Sequence, residues 1–183
     1  MPRIVGPFLF CGCNNFRLSS SIDDLISPIS PSGDNAGVQS AVDEYCKGGY
    51  SIKIPATGKY TTSFILKDID GDKISEAVAF YEPSNKIGTI SMAVIKKSGD
   101  KWSVVSNIEG TATDVNCVDF CDFNNDGKME IIVCWSVVSK LTGTSINVYS
   151  QNENNGAYSL KSVSKAITGS DFICVDANDD GVK

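Results

Sequence analysis

The segment Asp68-Ile69-Asp70-Gly71-Asp72-Lys73-Ile74-Ser75-Glu76 comes back as Asp122-Phe123-Asn124-Asn125-Asp126-Gly127-Lys128-Met129-Glu130, and once more as Asp176-Ala177-Asn178-Asp179-Asp180-Gly181-Val182-Lys183. Both intervals between first aspartates are 54 residues. A fixed period of this size marks a repeat architecture, in which one supersecondary unit is stacked several times. The flanks keep the same period. Phe64 and Leu66 before the first loop match Val118 and Phe120 before the second and Phe172 and Cys174 before the third, and Ala77 to Tyr81 behind the first loop matches Ile131 to Trp135 behind the second.

These flanking segments are short, rich in β-branched and aromatic residues, and bounded by Gly, Asn and Asp, which predicts buried strands. Each repeat then continues into a hairpin pattern. Thr89 to Lys96 and Lys101 to Ile108 flank Ser98-Gly99-Asp100, while Ser145 to Ser150 and Tyr158 to Val163 flank Asn154-Asn155-Gly156. Four strands per repeat, in tandem, predict an all-β fold: part of a β-propeller built from four-stranded antiparallel blades. One helix is expected from Asn35 to Lys47, where Val38, Ala41, Val42 and Tyr45 recur at helical spacing, with Asp34 as cap and Gly48-Gly49 as stop.

The chain divides accordingly into a leader at residues 1–18, a lead-in with one helix at 19–55, and repeats at 56–183. The third loop stops at Lys183, one residue short of its final acid, so the sequence reads as a fragment of a longer protein. At the other end, Met-Pro-Arg, a short apolar run and Cys11-Gly12-Cys13 look like the tail of a bacterial lipoprotein signal, with Cys13 as the lipidated residue and a lipid as the membrane tether.

Composition narrows the chemistry. The 16 Lys and Arg face 22 Asp and Glu, a net charge of −6 that argues against a nucleic-acid partner. Ten of the acids sit in the three loops, so the acidity belongs to the loops and not to the scaffold. The chain has no histidine, which removes the commonest general base, histidine-based zinc sites and Ser-His or Cys-His nucleophile pairs.

Around a tight turn, loop positions one, three and five can aim Asp68, Asp70 and Asp72 at one point. The carbonyl at position seven, of Ile74 or Lys128, and the carboxylate at nine, Glu76 or Glu130, would complete an oxygen shell of the kind Ca²⁺ prefers. Softer transition metals are disfavoured because no Cys or His holds a ligand position. An EF-hand would need an acid at position twelve, where Ala79 and Val133 stand inside apolar strands. A plain Asx-rich turn remains the bland alternative for any single loop.

The loops resemble those of the FG-GAP or VCBS repeat family, whose blades build the propellers of integrin α-chains and of many bacterial surface proteins; the likeness covers roughly residues 60–183. It implies calcium held by Asp68, Asp70, Asp72, the Ile74 carbonyl and Glu76, by Asp122, Asn124, Asp126, the Lys128 carbonyl and Glu130, and by Asp176, Asn178 and Asp180. Two departures stand out: Lys73 where the family usually has glycine, and a third loop lacking its last ligand. The function expected is a non-enzymatic, extracellular, cell-surface binding or adhesion module for a protein or glycan ligand. The alternative is the propeller part of a secreted carbohydrate-active enzyme with its catalytic residues elsewhere.

Seven cysteines in an extracellular setting invite a disulfide reading. The repeat alignment favours buried thiols instead, because Cys134 takes the place of Phe80 and Cys174 that of Leu66, while Cys117 and Cys121 sit too far apart along one strand to bridge. Trp102 and Tyr158 hold matching places, either packed in the core or offered to sugars, and packing is favoured because aromatics dominate buried area.

Overall fold

The structure, a computed structural model, describes residues 33–110, 112–137, 143–154, 157–162 and 167–169. Cys13 and the leader, the Ser- and Pro-rich stretch before the helix, and the third loop with Asp176, Asn178 and Asp180 lie outside the described residues.

Helix α1 (Asp34–Tyr45) is followed by β1 (Tyr50–Lys53), β2 (Phe64–Lys67), β3 (Glu76–Pro83), β4 (Ser91–Ser98), β5 (Lys101–Glu109), β6 (Asp114–Cys121), β7 (Glu130–Val137), β8 (Gly143–Asn154), β9 (Ala157–Ser162) and β10 (Ile167–Gly169). All strand pairs are antiparallel and fall into two sheets. In the first, β1 and β2 lie end to end along one edge of β3, followed by β4 and β5. In the second, β6, β7 and β8 run in order, and β9 and β10 share the far edge of β8.

Each sheet is therefore four strands wide, as the repeat pattern predicts, with one strand position split between two short segments. In the first sheet the split has a visible cause. The stretch between β1 and β2 leaves its own sheet to pair with β6, Ala56 and Thr57 donating their N–H groups to the carbonyls of Val115 and Asn116 at 3.2 and 2.8 Å. Among the described residues the result is a partial all-β, propeller-like fold with one short helix.

The sequence period survives as a period of register. Phe64 pairs with Ala79 and Val118 with Val133; Phe80 pairs with Met92 and Cys134 with Ile146, every partner displaced by the same 54 residues. It breaks at the outer hairpin, where Ser98 closes on Lys101 but Asn154 closes on Ala157, lengthening the second hairpin by two residues on each strand.

Side chains alternate across each strand, so one sheet can be buried on both faces. Val78, Phe80, Met92 and Val94 of the first sheet meet Ile131, Val133, Trp135 and Tyr149 of the second in one core, with Phe80 and Trp135 edge to face at 5.6 Å. Such a ring pair is worth about 0.5–1.5 kcal/mol beyond area burial. The opposite face of the first sheet offers Ala77, Ala79 and Ala93, and helix α1 packs on it through Val38, Ala41 and Val42. The small residues explain the fit: the equivalents of Ala77 and Ala79 in the second sheet are Ile131 and Val133, which meet a sheet instead. Gly37 completes the approach, since a Cβ there would lie 2.4 Å from Trp102 Cδ1.

The helix starts one residue earlier than its sequence pattern predicts and ends two earlier. Asp34 is its first residue instead of its cap, and its carboxylate pairs with Lys97 at 2.7 Å rather than with a helix N–H. Trp102 is buried against the helix, which answers the sequence alternative in favour of packing; the side chain of Tyr158 lies outside the described residues. Cys46, Cys117, Cys121 and Cys134 are thiols, the last three buried. No helix among the described residues is long and apolar enough to cross a membrane.

Candidate metal centre

Both described loops are bends between an edge strand and the central strand of a sheet: residues 68–75 join β2 to β3, and 122–129 join β6 to β7. Their backbones follow one plan. Positions four and six take left-handed φ in each, at Gly71 (78°) and Lys73 (71°) in the first and at Asn125 (56°) and Gly127 (83°) in the second. Each loop thus places glycine at one of its two left-handed positions and a longer side chain at the other. Left-handed backbone costs about 1–2 kcal/mol for an ordinary L-residue and less for Asn, so Lys73 is the strained member of the four.

Carboxylates hold these bends from within. In the first loop, Asp68 accepts from the N–H groups of Gly71 and Lys73 at 2.9 and 3.0 Å, Asp70 from Asp72 at 3.2 Å, and Asp72 from Ile74 at 2.7 Å. In the second, Asp122 accepts from Asp126 and Gly127 at 3.2 and 2.9 Å, Asn124 from Asp126 at 3.0 Å, and Asp126 from Lys128 at 2.9 Å. Glu76 and Glu130 start the central strands and reach back, each accepting a 2.9 Å hydrogen bond from the N–H of position two, Ile69 and Phe123. Both glutamates are buried, Glu76 completely.

The loops touch. Met129 donates its N–H to the Ile69 carbonyl at 2.8 Å, and a Cβ on Gly71 would fall 2.5 Å from the Gly127 carbonyl oxygen. Glycine at position four of the first loop is thus required twice, by backbone angle and by space.

Of the side chains that the sequence nominates in the first loop, the structure gathers Asp68, Asp70 and Glu76, with carboxylate oxygens within 4.8 Å of one another. Asp72 is not in that group; it is exposed and turned to its own loop N–H and to a lysine. In the second loop Asn124 stands where Asp70 stands, and its amide donates to Asp126 at 3.0 Å. The side chain of Ile74 is exposed, in keeping with a role for its carbonyl alone.

Sequence reasoning missed Lys96. From strand β4 its ammonium reaches into the first loop, hydrogen-bonding Asp70 and Asp72, the latter at 3.0 Å, and lying 3.6 Å from Glu76 Oε1. Burial works against that charge, but the bonds to Asp70 and Asp72 outweigh it and hold the lysine above its ordinary pKa. Asp72 is held below the usual carboxylate value, first by the Ile74 N–H and then by Lys96. Glu76 goes the other way: desolvation raises it, the charge of Asp70 adds to the rise, and the Ile69 N–H and Lys96 oppose it. Its Oε1 is buried without a hydrogen-bond partner. A buried, under-satisfied oxygen grouped with two further carboxylates, and with no Cys or His in the group, is a donor set that suits a hard divalent cation.

Residues 68–133 match the family model of the FG-GAP-like repeat, from the first aspartate of the first loop into strand β7. No curated protein and no solved structure matches the chain.

Proposed function

From a chain that carries an FG-GAP-like repeat in a propeller-like pair of sheets, we propose a calcium-stabilised, non-enzymatic binding or adhesion module that works outside the cell. The observation that carries this reading is the pair of abutting, oxygen-lined loops, one of them with a buried glutamate oxygen that no hydrogen bond satisfies. Asp68, Asp70, Asp72, Glu76 and the Ile74 carbonyl would hold an ion in the first loop. Asp122, Asn124, Asp126, Glu130 and the Lys128 carbonyl would do so in the second. The ion would offset carboxylate repulsion and lock the bend, fixing the loop rim from which a protein or glycan partner is met. A lipid on Cys13 would tether the module to a membrane surface. Chemistry has little support in this chain, which has no histidine and has its clustered carboxylates engaged in loop structure.

Thermal unfolding with calcium and with chelator tests the metal. An ion bound only by the native state adds RT ln(1 + [L]/Kd), about 2.7 kcal/mol at a hundredfold excess over Kd, so millimolar calcium should raise the midpoint by several degrees. An unmoved midpoint would remove calcium from the proposal.

A further inference from the structure

Cys117 and Cys134 stand directly opposite one another in the β6–β7 pair. Directly opposed residues of an antiparallel pair share a face of the sheet, with Cα atoms about 4.5 or 5.5 Å apart according to the hydrogen-bond pattern. Both separations lie inside the window of roughly 4.4–6.8 Å that a disulfide requires. The other two described cysteines stand elsewhere: Cys121 opposes Glu130, and Cys46 packs on the helical side of the first sheet. The sequence sets Cys117 against Cys121 along one strand; only the register sets it against Cys134.

Local structure covers the pair. Asn116 is the extra residue of a β-bulge, with Val115 opposite Trp135 and Cys117 opposite Cys134. Its carbonyl accepts from the Thr57 N–H at 2.8 Å and from the Thr57 hydroxyl at 3.2 Å. Gly58 follows, so close that a Cβ on it would lie 3.4 Å from Cys117 Cβ. Cys117 is 5% exposed and Cys134 0%.

We infer that Cys117 and Cys134 are a disulfide site, closed when the folding chain meets a disulfide oxidant, and that the bridge staples the two arms of the second loop. The step is thiol–disulfide exchange. The Cys117 thiolate, on the edge strand and the less buried of the two, attacks a sulfur of the oxidant RSSR; RS⁻ leaves and a mixed disulfide forms. The Cys134 thiolate then attacks the Cys117 sulfur and expels a second RS⁻. The protein exchanges two S–H bonds for one S–S bond, and the oxidant takes up two electrons and two protons as two RSH. Exchange takes place before the segment at Thr57 and Gly58 closes over the pair, and that segment afterwards shields the bridge. The ring so closed runs from β6 through residues 122–129 to β7 and restricts the unfolded chain. In the first repeat Ser63 and Phe80 hold the equivalent positions, so its loop has no such staple. An oxidising setting is what the extracellular reading supplies, and the bridge in the native setting rests on that reading.

Peptide mapping tests the site: the whole chain is refolded from urea in a glutathione redox buffer with chelator present, and remaining thiols are alkylated. A peptide pair joined through Cys117 and Cys134 is expected, in a chain that melts several degrees above its reduced form. Cys121→Ala should keep the link, and Cys117→Ala should abolish both the link and the gain in midpoint. Both cysteines alkylated, or either one linked to a different cysteine, overturns the proposal; mapping the wild-type chain decides this even where a variant folds poorly. Chain alkylated on recovery from the cells that make it tests the setting separately. A link formed in glutathione but absent there removes the extracellular reading and leaves the disulfide site standing.

Discussion

The first loop brings four carboxylates and a lysine to one bend, and the second brings three carboxylates, an asparagine and a serine to a bend of the same backbone. Matching φ signs at positions four and six, and matching hydrogen bonds accepted by Glu76 and Glu130, show that the two bends follow one backbone plan. Charge is then free to vary within a fixed frame. Two copies of one motif therefore keep one shape while differing in charge.

The sharpest way to break the likeness is at the glycines. Gly71→Ala meets both a left-handed φ and the Gly127 carbonyl at 2.5 Å, and should cost about 2–4 kcal/mol in denaturant melts. Gly127→Ala meets only the φ, with no neighbour within 4 Å, and should cost about 1–2 kcal/mol. Equal losses would mean that the contact between loops carries no weight.

A smaller contrast lies in the glutamates. Glu130→Ala strands the Phe123 N–H and should cost about 1–3 kcal/mol in chelator. Glu76→Ala strands Ile69 in the same manner but also deletes a desolvated carboxylate whose Oε1 is unsatisfied, so at neutral pH it should cost less than its counterpart. The reverse order in urea melts would contradict the burial argument.

Relief of strain comes next. Lys73→Gly should stabilise by about 0.5–1 kcal/mol, the left-handed strain removed less the added chain entropy of glycine. Asn125→Gly should gain no more than a few tenths, since Asn tolerates that region.

The smallest effect is one of pH. Because burial raises the folded-state pKa of Glu76 above the ordinary 4.5, its contribution to stability is complete below 4.5 and is lost as pH climbs through the raised value. Metal-free wild type should therefore lose ground to Glu76→Gln as pH rises, measured as the difference in thermal midpoint. Asp72, lowered from 3.8, has the opposite sign: its share is present above 3.8 and fades on acidification below it.

Much of this was legible in the residues. The 54-residue interval read from the aspartates reappears as a 54-residue displacement of strand partners, because a buried face fixes register in both sheets. The helix was visible from its 3.6-residue pattern, but its limits were not, because Asp34 had a choice between capping and pairing with Lys97 on a distant strand. Lys96 could not be placed from sequence: it belongs to no loop motif, and its position beside Glu76 follows only from the β3–β4 register, which the length of the connection does not specify. The split of the first strand position was likewise hidden, since it depends on Ala56 and Thr57 finding partners about sixty residues away.

Helix α1 on the Ala77–Ala79 face gives the pair of sheets a handed order. The second sheet sits on the first through one face, and the other face is already taken, so another sheet cannot dock on the helical side while the helix remains in place. The two sheets thus differ in what their faces meet: the first holds a sheet on one side and a helix on the other.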